Sequence, residues 1–269
     1  MAHMLSYNQR KEFVEKVESF VPEINMYVSS FIDRRVMYVF DKLAISSWDQ
    51  GLKYLNNKKN IDDFMSLFYV PVTEFFRDVE VWRMLFYTIL PKVFKQKSCT
   101  IFLPDCSSGH ELVSLCVLLD MLDMRKQVRI YAHSRSQKVL EQITKGMYAS
   151  QSESSLIANF KNIGISYQIS DYYTINYHSL VFDTDLFSNV QFLYSQTMSG
   201  IVDSPASLVL YRNALLYYSK EAQRSCIGQV HNAMKNGGYL FLGLKEGKNI
   251  VDIDMLFSLE NARVSMYKK

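Results

Sequence analysis

The sequence predicts an α/β protein: a mostly parallel sheet covered by helices on both faces, preceded by a small all-helical unit. Three observations carry this. The first seventy or so residues hold helical periodicities and almost no strand signals. Beyond residue 98, short apolar runs alternate with helical ones. Those runs, "CTIFLP" among them, are apolar at every position rather than every second one, as in strands buried on both faces. Pro71 marks the expected boundary, giving a helical domain over 5–70 and an α/β domain over 71–269 that opens on a linker helix, 71–95.

In "RKEFVEKVESFV", Phe13, Val17, Phe20 and Val21 share one helical face, and Pro22 bounds the helix. "SSFIDRRVMYVFDKLAI" repeats the pattern through Phe31, Val36, Val39, Phe40 and Leu43. Two shorter helices are expected in "SWDQGLKYLNN" and "NIDDFMSLFYV". "VTEFFRDVEVWRMLFYTILPKVF" reads as one amphipathic helix ending near Pro91. "CTIFLP" is a buried strand, and "SSGHELVSLCVLLDMLD" a helix with Ser107 or Ser108 as N-cap and Leu112, Leu115, Leu119 and Leu122 facing inward. "VRIYAHS" is a strand and "SQKVLEQITKGMY" a helix. Then come "SLVLYRNALLYY" (strand, turn), "KEAQRSCIGQVHNAMKNGG" (helix closed by Gly237-Gly238), "GYLFLGLKE" (strand) and "ARVSMYKK" (last strand).

Composition narrows the function classes. The chain has 269 residues, 48% hydrophobic and 21% charged, an ordinary globular balance. A net charge of +3 without any long Lys/Arg run argues against a nucleic-acid partner. No apolar stretch approaches the roughly 18 residues of a membrane span, no signal peptide is expected, and Met1-Ala2-His3-Met4 reads as a cloning scar. Cys99, Cys106, Cys116 and Cys226 follow neither disulfide nor zinc spacing, so reduced, buried thiols in a cytoplasmic protein are expected. His110 and His133 both point to the presumed crevice, but without a carboxylate at ligand spacing no metal is expected.

Ligands of open parallel sheets bind beyond the carboxyl ends of the strands, near the point where strand order reverses. The first strand here ends in the elbow "FLPDCSSGHE", whose helix offers free N–H groups and the positive end of its dipole. Only Gly109 is present, so this is no phosphate loop.

Three segments read together are more specific. "VTEFFRD", "CSSGHE" and "YRNALLYYSKEAQ", with "ISDYY" and "NGGYLFLGLKE", resemble the CheR family of chemotaxis receptor methyltransferases in identity and order. The resemblance covers nearly the whole sheet domain and, loosely, the helical unit. It implies a Rossmann-like sheet that binds S-adenosylmethionine (SAM), methyl transfer to glutamate side chains of chemoreceptors in the bacterial cytoplasm, and a monomer. Residue by residue, it implies that Thr73, Phe76 and Arg77 close over the cofactor and that Arg77 orients the substrate carboxylate, for which a planar guanidinium is suited. It places Cys106 and Glu111 at the cofactor's amino-acid end, the Arg212-Asn213 pair beside them, Tyr217 in the acceptor site, and Gln196-Thr197 where relatives hold adenine with Asn-Leu. Arg34, Arg35 and Lys42 match a basic face that meets the receptor.

Two departures stand out. Asp105 replaces the small residue of the elbow, where a carboxylate would crowd and repel that of the cofactor. His110 also replaces the elbow's first glutamate. Ser134 stands where relatives have an aspartate that accepts both ribose hydroxyls, and its loss costs roughly 1.5–3 kcal/mol. Tyr211 replaces a cysteine before Arg212. The expected function is therefore a CheR-like protein-glutamate methyltransferase with a degraded cofactor site; the alternatives are a catalytically inactive CheR fold that binds a partner, and a methyltransferase for another acceptor. On the obstruction reading, Asp105→Gly combined with Ser134→Asp raises SAM affinity.

Overall fold

The computed structural model describes residues 5–69, 74–95, 99–195, 198, 200 and 202–269. Four helices form the N-terminal unit: α1 (Tyr7–Val17), α2 (Ser29–Lys42), α3 (Trp48–Tyr54) and α4 (Lys58–Phe68). α1 opens on a capping box: Ser6 Oγ accepts from the Gln9 N–H at 3.2 Å and Gln9 Oε1 from the Ser6 N–H at 2.9 Å. It stops at Val17, so Phe20, expected on its apolar face, falls beyond it and is 42% exposed. Pro22 starts a 3₁₀ turn, Pro22–Met26. Asp33, buried on α2, takes a bidentate pair from Arg10 of α1 at 2.7 Å. Arg35 donates to the carbonyls of Leu67, Phe68 and Tyr69, satisfying the end of α4. Of the expected basic face, Arg34 and Lys42 are exposed; Arg35 is engaged inside the unit.

The linker helix begins later than expected. Phe76 and Asp78 have φ of +52° and +60°, left-handed values that no helix accommodates, and α5 starts at Val79 (Val79–Met84). It continues through a π-helical turn, Leu85–Ile89, into α6 (Leu90–Phe94). Pro91 has no N–H, and its ring collides with the carbonyl four residues back in a regular helix. The widened turn, in which the Leu90 N–H reaches the Leu85 carbonyl, lets the helix run past Pro91 to Phe94.

The strands are β1 (Cys99–Leu103), β2 (Val128–Ser134), β3 (Met147–Ala149), β4 (Tyr173–Asn176), β5 (Ser179–Phe182), β6 (Val190–Tyr194), β7 (Ala206–Tyr211), β8 (Met234–Leu242), β9 (Ser258–Asn261) and β10 (Met266–Lys268). Between them lie α7 (His110–Met121), α8 (Gln137–Ile143), α9 (Glu153–Ile163) and α10 (Lys220–Ala233). A seven-stranded sheet runs β6-β2-β1-β7-β8-β10-β9, parallel over its first five strands, with β10 antiparallel to both neighbours. A second sheet, β3-β5-β4, is antiparallel and had no counterpart in the sequence reading. Its strands are three or four residues long and β4 is mostly exposed, so no buried apolar run announces it.

Both faces of the large sheet are covered. Ile101, Leu103, Ile130, Ala132, Leu208 and Leu210 pack with the helices α5–α7 and α9. Phe102, Tyr131, Val209, Tyr211, Leu240 and Leu242 pack with α10 and with the core of the N-terminal unit. After β1 the chain builds outward through β2 on one side, and β7 later adds on the other. The crevice beyond the carboxyl ends of β1 and β7 is therefore the switch point. The helical unit docks beside it through a backbone bridge, Tyr27 to Tyr218, with the Val28 N–H on the Tyr217 carbonyl at 3.0 Å and the Ser219 N–H on the Met26 carbonyl at 2.7 Å. No described helix is long and apolar enough to cross a membrane.

Arg35→Leu is expected to lower unfolding stability by about 1–3 kcal/mol, since it leaves the end carbonyls of α4 without their charged donor. Urea denaturation followed by circular dichroism measures it.

Candidate active site

A narrow cleft opens at the switch point. It encloses about 810 Å³, open mouth included. Its floor is the β1–α7 elbow from Leu103 to Gly109. One side is Arg212, Asn213, Ala214, Tyr217 and Tyr218 beyond β7, and the helical unit supplies Tyr27, Phe31 and Tyr69.

The elbow is shaped by Gly109. Its φ is +80°, and a Cβ there would lie 2.5 Å from Tyr148 Oη and 2.8 Å from Ile143 Cγ2, so a side chain is excluded on both counts. Gly109, rather than Ser107 or Ser108, is the N-cap of α7, and no side chain caps it. Ser108 Oγ lies instead 3.1 Å from His110 Nδ1.

Sequence-selected residues converge here: Arg77, Asp105, Cys106, Glu111, Arg212, Asn213 and Tyr217 all border the cleft. Thr73, Gln196 and Thr197 lie outside the described residues. Phe76 does not border the cleft; its ring is buried against Trp82 and Phe160, at 5.5 and 5.3 Å. Ser134 lies behind it, 4% exposed, its Oγ accepting from the Ser136 N–H at 3.3 Å.

Neither histidine reaches the cleft. His110 packs between the rings of Phe75 and Tyr148 at 4.4 and 4.7 Å, and burial pushes its pKa down to about 4. His133 is fully buried, with Nδ1 2.6 Å from the Pro104 carbonyl and Nε2 2.8 Å from that of Ser195. Among the described residues, no cluster of three or more His, Cys, Asp or Glu side chains could hold a metal ion. All four cysteines are free and buried, and burial pushes the Cys106 thiol far up, so it is no nucleophile.

Arg212 organises the side of the cleft beyond β7. Its side chain is 2% exposed; Nη1 donates to Glu111 Oε1 and Nη2 to Asp78 Oδ2, both at 2.6 Å, and Nη2 also to the Arg77 carbonyl at 3.0 Å. Burial raises the Glu111 carboxyl, and Arg212 pulls it back. This arginine is a strut, its charge balanced within the protein. Asn213 sits at φ +62°, and the loop it opens is held by a residue the sequence reading did not select. Buried Glu246 accepts from the N–H groups of Asn213 and Gly243 at 2.7 Å and of Leu216 at 3.1 Å. Gly243 leaves room for it: a Cβ there would meet Glu246 Oε2 at 2.6 Å. Tyr217 packs its ring 4.5 Å from that of Phe31.

The cleft is lined by carboxylates and rings. Glu74, Asp105 and Glu111 border it, Glu111 paired with Arg212 and Asp105 with Arg135, and Tyr27, Tyr69 and Tyr217 add ring surface. Carboxylates and aromatic faces both attract a sulfonium.

A sheet with its cleft at this switch point, floored by a helix N-terminus, is Rossmann-like architecture. The family model described as CheR methyltransferase, SAM binding domain, matches residues 71–266, and the chain belongs to that family. The cofactor is accordingly SAM, or S-adenosylhomocysteine (SAH) once the methyl group has left. A Pseudomonas putida protein named as methyltransferase Cher3 is 27% identical over 223 residues, 82% of this chain and 81% of that one. A chemotaxis protein methyltransferase of Listeria monocytogenes is 23% identical over 234 residues, 83% and 84% of the two chains. Among solved structures, the glycopeptide N-methyltransferase MtfA complexed with SAM is similar at a TM-score of 0.37 and 10% identity, over 64% of this chain and 54% of that one.

Glu246→Ala leaves three backbone N–H groups at a buried site without an acceptor. It is expected to cost at least about 2 kcal/mol and to speed proteolysis within 213–217, read by calorimetry and by mass spectrometry of limited digests.

Proposed function

We propose that this protein transfers the methyl group of SAM to glutamate side chains of a chemoreceptor or a related signalling protein, from a cofactor site altered around the ribose. The observation that carries the reading is the convergence of Arg77, the Arg212-Asn213 strut and Tyr217 on one sheltered cleft. A monomer acting in the bacterial cytoplasm belongs to the same proposal. The name of the Listeria relative, a chemotaxis protein methyltransferase, supports the receptor assignment.

When bound, SAM supplies the electrophilic methyl group. The elbow backbone from Cys106 to Gly109, with Asp105 and Glu111, would hold its amino-acid and ribose parts. Half-buried Arg77 orients the acceptor carboxylate; its own segment is pinned, because its carbonyl accepts from Trp82 Nε1 at 2.8 Å and from Arg212. An ionised glutamate is already the nucleophile, so positioning in a cleft shielded by Tyr217 and Phe31 supplies the acceleration. A catalytically inactive, partner-binding role is the second reading. It is favoured by the narrowness of the space around Ser134 and Arg135, about 220 Å³ against about 810 Å³ for the cleft.

Radiolabelled SAM with peptides from receptor cytoplasmic helices is expected to give base-labile methyl esters on glutamate. Arg77→Ala is expected to reduce the rate about 100-fold by misplacing the acceptor. In a thermal melt, SAH at about 100-fold over its Kd should add roughly 2.7 kcal/mol, several degrees. Neither methyl esters nor a melt shift would favour the partner-binding role.

A further inference from the structure

We propose that the carboxylate which the family resemblance expects at the position of Ser134 is supplied in this chain from the neighbouring strand end. Asp105, braced by buried Arg135, is the carboxylate that receives the vicinal ribose hydroxyls of the cofactor. The inference rests on the reading of this cleft as a SAM site.

The register places the two positions side by side. β1 and β2 are parallel, with Leu103 opposite Ala132. Beyond Leu103 the Cys106 N–H still reaches the His133 carbonyl at 2.7 Å, so the chain leaving β1 runs beside the end of β2, and Asp105 and Ser134 border the same small space. Only one of them faces the ligand. Ser134 is turned back on its own chain, and the space it shares with Tyr69, Asp105, Ser107, Arg135 and Val139 is about 220 Å³ against about 810 Å³ for the cleft. Asp105 borders both that space and the open cleft, and its side chain is 23% exposed.

Arg135 makes the arrangement tenable. Its side chain is 5% exposed, and it borders the closed space rather than the cleft. Nη1 lies 4.0 Å from Asp105 Oδ2 and donates to Tyr218 Oη at 2.9 Å. Burial raises the Asp105 carboxyl, and Arg135 pulls it back. The guanidinium therefore stands behind the carboxylate, offsetting a charge that would otherwise repel the cofactor's own. A 4.0 Å ion pair leaves Asp105 acceptor capacity on its cleft side. The other acids there have other work: Glu111 holds Arg212 at 2.6 Å, and Glu74 is exposed beside Asn159. His110 and His133, which could otherwise stand in for the missing acid, are held against Phe75 and between two carbonyls.

Isothermal titration of SAH and of its 2′,3′-dideoxy analogue into the wild type, Asp105→Asn and Ser134→Asp tests this. Wild type is expected to prefer SAH by about 10- to 100-fold. Asp105→Asn is expected to lose that preference by weakening SAH and leaving the analogue nearly unchanged. Ser134→Asp gains nothing, because the ribose does not reach it. Tighter or unchanged SAH binding by Asp105→Asn overturns the proposal, as does a gain in Ser134→Asp; both are the signs expected if Asp105 merely obstructs. Wild type that does not distinguish the two ligands overturns it without any variant, whether or not Asp105→Asn folds. Wild type that binds neither ligand overturns the SAM reading along with it.

Discussion

Two guanidinium groups buried at the carboxyl edge of the sheet set the terms for the rest of the site. Arg212 and Arg135 are 2% and 5% exposed at their side chains. A buried charge is tolerated only with partners, and stripping one away costs about 3–5 kcal/mol. Arg212 collects Glu111 from the start of α7, Asp78 from the start of α5 and the Arg77 carbonyl, joining three chain segments beyond β7. Arg135 collects Asp105 from the end of β1 and Tyr218 from the loop beyond β7. The strand ends, the elbow and the loop beyond β7 are thus fixed relative to one another by two cations and their carboxylates. Glu246 does the complementary task with a buried anion, gathering backbone donors from the same loop.

The helical unit is part of this construction. Tyr27 and Phe31 form one wall of the cleft, and their rings meet Tyr218 at 5.0 Å and Tyr217 at 4.5 Å. Backbone hydrogen bonds run from residues 26–28 to 217–219, the segment that carries both tyrosines. Any ligand that displaces α2 must strain this seam, so the unit and the loop beyond β7 respond together.

Much of this was legible in the sequence, for identifiable reasons. Strands buried on both faces leave continuous apolar runs, and "CTIFL" and "SLVLY" became β1 and β7. The elbow showed itself through a single glycine, which its φ and its neighbours require. The short β3-β5-β4 sheet was not legible, because strands half in solvent carry no such run. Pro91 read as a helix end because a π turn is a local accommodation that sequence periodicity does not record. Phe76 read as a cofactor lid, yet its left-handed backbone directs the ring into the core. The pairing of Asp105 with Arg135 was not legible, because the two lie thirty residues apart in the chain and meet only through the pairing of β1 and β2. Glu246 belongs to "GLKEG", a stretch with no chemistry of its own until the β7 loop folds over it.

The most direct measurement is a crystal structure of the protein with SAH. The account predicts the amino-acid end of SAH at the elbow, its sulfur beside Arg77 and Tyr217, and both ribose hydroxyls within hydrogen-bond distance of the Asp105 carboxylate. Ribose seated instead against Ser134 with Arg135 swung away, or a cleft with no SAH in it, would contradict it.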